Sequence, residues 1–213
     1  MKHMITTACC TLAPSPFLMA QKQMPNIVFI LADDMGYGDL GCFNKDSKIQ
    51  TPNMDDLAAN GQLYTDAHSS SSVSTPSRYS ILTGRYAWRS SLKRGVLFGH
   101  DKALIEPERP TVASMLKANG YRTACIGKWH LGLGWQTTDG QVAARDGKNI
   151  DYAAVIQDAP VDRGFDYFYG IPASLDMPPF LLIENNHVID EPSVYYDLSL
   201  IHISEPTRRS YIS

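Results

Sequence analysis

No apolar run in the chain approaches the roughly 20 residues that a membrane-spanning helix needs, so no such span is expected. Basic stripes are missing as well. The 19 Lys and Arg are outnumbered by 22 Asp and Glu, leaving a formal net charge of −3, which offers a nucleic acid no electrostatic footprint. Cysteine is scarce: Cys9, Cys10, Cys42 and Cys125 are the only 4. Two are adjacent and the others lack metal-ligand spacing, so neither a disulfide framework nor a zinc site is expected. Cys125 lies in an apolar run and reads as a small buried hydrophobe. There is no internal repeat. What is present is a globular composition, 44% hydrophobic and 19% charged over 213 residues, enough for one sizeable core or two small domains.

The two ends stand apart. Residues 1–24 begin with a basic Lys2-His3 and continue through mostly apolar or small residues to Leu18-Met19-Ala20, interrupted by Pro14 and Pro16. They read as a secretion leader or as an unstructured start. A leader would send the protein to the periplasm or out of the cell. Residues 198–213 open with Leu-Ser-Leu-Ile-His-Ile-Ser-Glu-Pro-Thr-Arg. That string is similar to a translated sequencing adapter, so the natural sequence is expected to stop being visible near Asp197, with 25–197 as the N-terminal part of a catalytic domain.

Between the ends, elements alternate. Asn26–Ala32 is a continuous apolar run, expected as a strand buried on both faces. Thr51-Pro52 predicts a helix start, with Met54, Leu57 and Ala58 inward and Gly61 as its stop. A short strand is expected at 62–67. A second helix is predicted from Pro76 to Gly84, with Ser74 just before it. A third is predicted over Pro110–Asn119, with Val112, Met115 and Leu116 inward. Tyr121–Ile126 reads as a strand, and 134–162 as loop. This alternation predicts an α/β fold with a mainly parallel sheet flanked by helices.

Chemistry concentrates in three stretches. Asp33-Asp34 follow the first apolar run, where α/β sheets place their sites. Two carboxylates in a turn suit a hard cation, calcium or magnesium, although a solvated acidic turn is the ordinary alternative. Ser74-Thr-Pro-Ser-Arg78, continued by Leu82-Thr-Gly-Arg85, puts a serine at a helix N-terminus, where free N–H groups favour an anion. Arg78 lies four residues on, near the same helix face. Gly127-Lys-Trp-His-Leu-Gly132 carries Lys128 and His130 two apart, sharing one face if the segment is extended.

These stretches resemble the signatures of the sulfatase family, within the alkaline phosphatase superfamily, over about 25–176. The resemblance implies an alkaline-phosphatase-like α/β fold and a sulfuric ester hydrolase. It implies that Ser74 is oxidised to formylglycine by an anaerobic-type sulfatase-maturating enzyme of a bacterial host. One hydroxyl of the aldehyde hydrate would then attack sulfur, and the other would help eject sulfate. Asp33, Asp34 and Ser74 would contact the metal; Arg78, Lys128 and His130 would act in catalysis; Lys128 and Ser174, in the Gly164–Asp176 block, would hold sulfate. Sulfated glycans or aryl sulfates are the implied substrates. The later metal ligands, leaving-group acid and smaller second domain of full members cannot be located, so the chain is expected to be truncated, inactive and aggregation-prone.

Other readings remain open. A phosphomonoester or phosphonate hydrolase of the same superfamily would share the acidic turn and the nucleophile at a helix start. A non-catalytic glycan-binding remnant needs no chemistry. His68 and His100 read as structural residues, and the aromatic run 165–169 as core. Arg85, Arg89 and Arg94 could line a cleft or be solvated, and the role of His187 is open.

Overall fold

Thr51 and Asp55 tie the start of a helix to the loop that precedes it. The Thr51 hydroxyl accepts from the backbone N–H of Gly41 at 2.9 Å and donates to the Asp55 carboxylate, which itself accepts from the N–H of Cys42 at 2.8 Å. The structure is a computed structural model and describes residues 24–192. Residues 1–23 of the expected leader and all of the expected tail lie outside the described residues. The chain divides into two compact units, Met1–Asp56 and Leu57–Ser213.

In the first unit, Tyr37–Asp39 forms a short 3-10 turn whose Asp39 carboxylate accepts from the Gly36 N–H at 2.7 Å. Helix α1 follows at Pro52–Asn60, its first five residues in this unit and its last four in the second. Pro52 opens it and Gly61 follows it, as expected, but Met54 and Leu57 are exposed rather than inward. The expected strand at 26–32 is not formed. No residue of it belongs to a β-ladder among the described residues, and Ile27 to Leu31 are 43–81% exposed. A two-sided buried strand needs hydrogen-bonded neighbours on both edges, and this run has none there.

In the second unit, helix α2 spans Ser74–Thr83. It ends as expected at Gly84, which takes the left-handed conformation (φ 65°) and returns its N–H to the Ser80 carbonyl. The expected strand at 62–67 is absent. Helix α3 covers Val112–Ala118 and is capped by Thr111, whose hydroxyl accepts from the Ser114 N–H at 3.0 Å. Ala113 is its buried residue, whereas Val112 and Met115 are exposed. The polar anchor decides the face. Thr111 also donates to the Arg163 carbonyl at 2.6 Å, and a Cβ on Gly164 would stand 2.3 Å from the Ser114 nitrogen. Only glycine fits that approach.

Four strands make one sheet in the order β1-β2-β3-β4: Ala124–Lys128, Tyr167–Ile171, Ile183–Glu184 and His187–Val188. β1 and β2 are parallel, and the last two pairs are antiparallel. With helices beside it, the α/β class holds, and the sheet is mixed among the described residues. β1 begins three residues later than the sequence suggested and runs into the Gly127-Lys128 segment. His187 lies on β4 opposite Glu184. Tyr79, Phe168 and Ile183 are wholly buried at the centre of the core, joined by Leu131 and Leu133. Phe165 and Phe168 are core as expected, while Tyr167 and Tyr169 alternate outward. The 134–162 segment is a loop pinned by the bridges Gly134–Gln157 and Thr137–Ile150 as far as Ala159, where a 3-10 turn, Pro160–Arg163, begins. His100 is buried between the Arg145 carbonyl and the Tyr152 hydroxyl; His68 is exposed beside Asp66.

Candidate active site

The site is built where β1 ends beside the first turn of α2. Ser74 is the first residue of α2, which begins two residues earlier than expected and follows the extended Val73. A serine network props the incoming loop. Ser77 donates to the Val73 and Ser71 carbonyls, each at 2.9 Å, and its hydroxyl lies 3.1 Å from that of Ser69.

Arg78, one turn on, reaches back along the helix. Its Nε donates to Ser74 Oγ at 3.0 Å, and its Nη1 donates to the Lys128 carbonyl at 2.7 Å. One planar guanidinium therefore ties the serine to the end of β1, a fixed-fork geometry that lysine cannot reproduce.

His130 comes from the other side, with Nδ1 3.0 Å from Ser74 Oγ and Nε2 2.7 Å from the Leu97 carbonyl. A carbonyl can only accept, so Nε2 carries the proton. In the neutral ring, Nδ1 is then the acceptor facing the serine hydroxyl. Burial holds the His130 pKa below the ordinary histidine value, and the neighbouring Lys128 and Arg78 charges push the same way.

The expectation that Lys128 and His130 share a face of an extended segment is not met. His130 has φ 56°, in the left-handed region, which breaks the strand alternation. Parallel pairing nevertheless continues past β1, with Trp129 N donating to the Ile171 carbonyl and His130 N to the Pro172 carbonyl, each at 3.0 Å. β1 and β2 can lie this close because Gly127 faces Gly170; a Cβ on Gly170 would stand 1.8 Å from the Gly127 oxygen. The same pairing carries Ser174 toward the site, where Lys128 Nζ lies 3.4 Å from its Oγ.

The second unit thus brings together Ser74, Arg78, Lys128, His130 and Ser174. Asp33 and Asp34 belong to the first unit, in a bend where Asp34 takes φ 59°. Their oxygens are of the right type for a hard cation. Among the described residues, however, no three His, Cys, Asp or Glu side chains form a candidate metal group.

Sequence reasoning missed Thr75. It is fully buried; its hydroxyl donates to the His130 carbonyl at 3.0 Å and accepts from the Leu97 N–H at 3.1 Å. Both segments that hold the histidine are thereby clamped to α2. Nothing in the motif signals this, because that position accepts any residue. Cys125, expected as a buried hydrophobe, packs against the core, and burial raises its thiol pKa to about 11.

The model of the sulfatase family matches residues 25–198. The chain belongs to that family. A relative described as N-acetylgalactosamine-6-O-sulfatase from Bacteroides thetaiotaomicron is 41% identical over 168 residues, which are 79% of this chain and 30% of that protein. Human arylsulfatase A is 42% identical over 161 residues, covering 76% of this chain and 28% of the relative. Among solved structures, one from work on glycosaminoglycan metabolism by Bacteroides thetaiotaomicron is similar at 41% identity and TM-score 0.68, over 78% of this chain and 32% of that one. The chain therefore spans about 30% of the length of the first of these sulfatases.

Proposed function

We propose that this chain carries the nucleophile end of a sulfuric ester hydrolase, centred on Ser74 and acting on sulfated glycans, with residues 25–197 as part of its catalytic domain. The observation that carries the reading is the joint hold on Ser74 Oγ by Arg78 Nε and His130 Nδ1, each at 3.0 Å, at the first residue of a helix.

Ser74 is present as ordinary serine, so its Oγ stands in for one oxygen of the hydrated aldehyde that formylglycine would provide. That group supplies a nucleophile which an unactivated serine lacks. Arg78 sets a permanent cation against charge developing at that oxygen. Neutral His130 accepts a hydrogen bond from it and holds the hydroxyl in one orientation. Lys128 offers a point charge, and Ser174 a hydroxyl, to sulfate oxygens. Asp33 and Asp34 would hold calcium or magnesium through their carboxylates, with Ser74 as a further contact; the cation would neutralise sulfate charge. A maturating enzyme of the anaerobic, serine-oxidising type is the required partner, and a periplasmic or secreted location goes with the reading of residues 1–24 as a leader. The 6-O-sulfated N-acetylgalactosamine named for the bacterial relative supports a sulfated glycan as substrate.

Mass spectrometry of the Ser74 peptide after co-expression with such a maturase tests this. Loss of two hydrogens from Ser74 is the expected result. An unchanged serine accompanied by phosphatase activity would instead favour the phosphoester reading, for which the Ser74–His130 contact is the supporting feature. An unchanged serine with sugar binding alone would leave a non-catalytic remnant.

A further inference from the structure

Immediately after α2 the chain turns through a 3-10 segment, Ala87–Arg89, and presents two large aromatic rings to solvent. Tyr86 is 55% and Trp88 62% exposed. Their rings are nearly parallel, 17° apart with centroids at 6.0 Å, and the Arg89 guanidinium lies 5.8 Å from the centre of the Trp88 ring. Tyr and Trp are enriched at binding surfaces, where one end of the ring is apolar and the other polar.

A cleft of about 180 Å³ adjoins them. One wall is the approach to α2, including Val73 and Pro76 on either side of Ser74 in the chain; the other includes Tyr86, Trp88, Lys93 and Arg94.

The charge around this cleft is one-sided. From Ala67 to His100 the chain holds Arg78, Arg85, Arg89, Lys93 and Arg94 and no Asp or Glu, in a protein whose net charge is −3. Arg78 is bound to Ser74, and Arg85 is paired with Glu106 at 3.1 Å. Arg89, Lys93 and Arg94 meet no carboxylate among the described residues. Lys93 instead donates to the Trp88 carbonyl at 3.1 Å, which holds its ammonium against that backbone.

An apolar ring face flanked by unneutralised cations matches a sugar chain that carries anionic substituents: the ring face takes the C–H side of a pyranose, and the cations take sulfate. We propose that the Tyr86–Trp88 face, with Arg89, Lys93 and Arg94, is a docking subsite for neighbouring residues of a sulfated polysaccharide whose reacting ester sits at Ser74. This rests on the sulfate-ester reading of Ser74. It adds that the substrate is a polymer bearing more than one anionic group, gripped outside the reacting centre. The cleft has room for a single substituent, so the chain lies across the exposed rings and not inside the protein.

The test uses the full 213-residue chain and a labelled chondroitin 6-sulfate hexasaccharide, with the unsulfated hexasaccharide and a single-stranded DNA oligomer as controls. Trp88→Ala and the double variant Lys93→Glu/Arg94→Glu should each weaken binding of the sulfated hexasaccharide about tenfold, as expected for interface anchors, while Trp88→Phe retains most of it. Unsulfated hexasaccharide should bind weakly to all forms, and added salt should weaken the sulfated complex. Unchanged affinity in the double variant, with an unchanged melting temperature, overturns the proposal. Tighter binding of DNA than of the hexasaccharide, lost in the same variants, overturns it in favour of a nucleic-acid surface. Because these readouts are binding alone, they stand apart from Ser74 oxidation: conversion of Ser74 with unchanged hexasaccharide affinity sinks only the subsite, and unconverted Ser74 with variant-sensitive binding sinks only the chemistry.

Discussion

The stretch from Trp129 to Trp135 and the stretch from Ile27 to Leu31 are both rich in large apolar side chains, yet they end in opposite places. Trp129, Leu131, Leu133 and Trp135 are all at least nine-tenths buried, although glycines interrupt them and only an isolated bridge, at Gly134, is formed within the stretch. Ile27 to Leu31, the more regular run, stands open to solvent. The difference is the backbone. In the buried stretch, the N–H groups of Trp129, His130, Leu133 and Gly134 donate to Ile171, Pro172, Asp101 and Gln157 carbonyls, and both indole N–H groups find carbonyls as well. Apolar side chains can leave water only when the peptide groups they hang from are satisfied. The 27–31 run lacks that condition among the described residues.

The largest expected effect tests this contrast directly. Phe168 is 0% exposed and touches Trp129 edge-on, with centroids 6.3 Å apart, whereas Phe29 is 70% exposed. Phe168→Ala should cost about 3–5 kcal/mol in urea unfolding. Phe29→Ala should change stability by no more than about 0.5 kcal/mol. Comparable losses for the two would mean that the first run is packed in solution, and the contrast would collapse.

A smaller effect separates the polar clamps of the two units. Thr75 and Thr51 each bridge two segments through one hydroxyl, but Thr75 is fully buried and Thr51 only half-buried. Thr75→Val keeps the shape and orphans the His130 carbonyl and the Leu97 N–H, for a loss of about 1–3 kcal/mol. Thr51→Val should cost less, because water can reach the groups it leaves. Equal losses would show that burial is not what sets the value of these clamps.

Much of the site was legible beforehand, and the reason is local. Ser74 and Arg78 are four residues apart on one helix, so helical geometry alone brings their side chains together, and the 3.0 Å contact follows. Pro76 and Gly84 mark that helix through steric rules that need no tertiary context. What escaped depends on distant backbone. His130 is not a glycine, and nothing local announces its positive φ; the Pro172 carbonyl that receives its N–H lies far along the chain. Hydrophobicity alone turns Val112 and Met115 of α3 inward; the Thr111–Arg163 bond, which joins residues 52 apart, turns Ala113 inward instead. The strand at 26–32 was read from composition, which describes side chains and leaves out whether a neighbour is present to pair with it.

The smallest expected effect concerns pH and sharpens the same point. His100 is 5% exposed, with Nδ1 3.2 Å from the Arg145 carbonyl and Nε2 2.9 Å from the Tyr152 hydroxyl. The carbonyl places the proton on Nδ1, so Nε2 accepts from tyrosine, which a protonated ring cannot do. Burial lowers the His100 pKa; the bond to Arg145 and the charges of Asp146 and Asp101 oppose it without reversing the direction. The folded state therefore binds fewer protons than the unfolded chain once pH falls through the ordinary histidine value of about 6.5, and stability declines from there downward. His100→Gln preserves a donor and an acceptor while removing the titration. Its melting temperature should fall less than that of the natural protein between about pH 7.5 and pH 5.5, the range in which an unperturbed histidine takes up its proton. An identical fall in both proteins would mean that His100 is solvated in solution, and that the loop carrying Arg145 does not close over it.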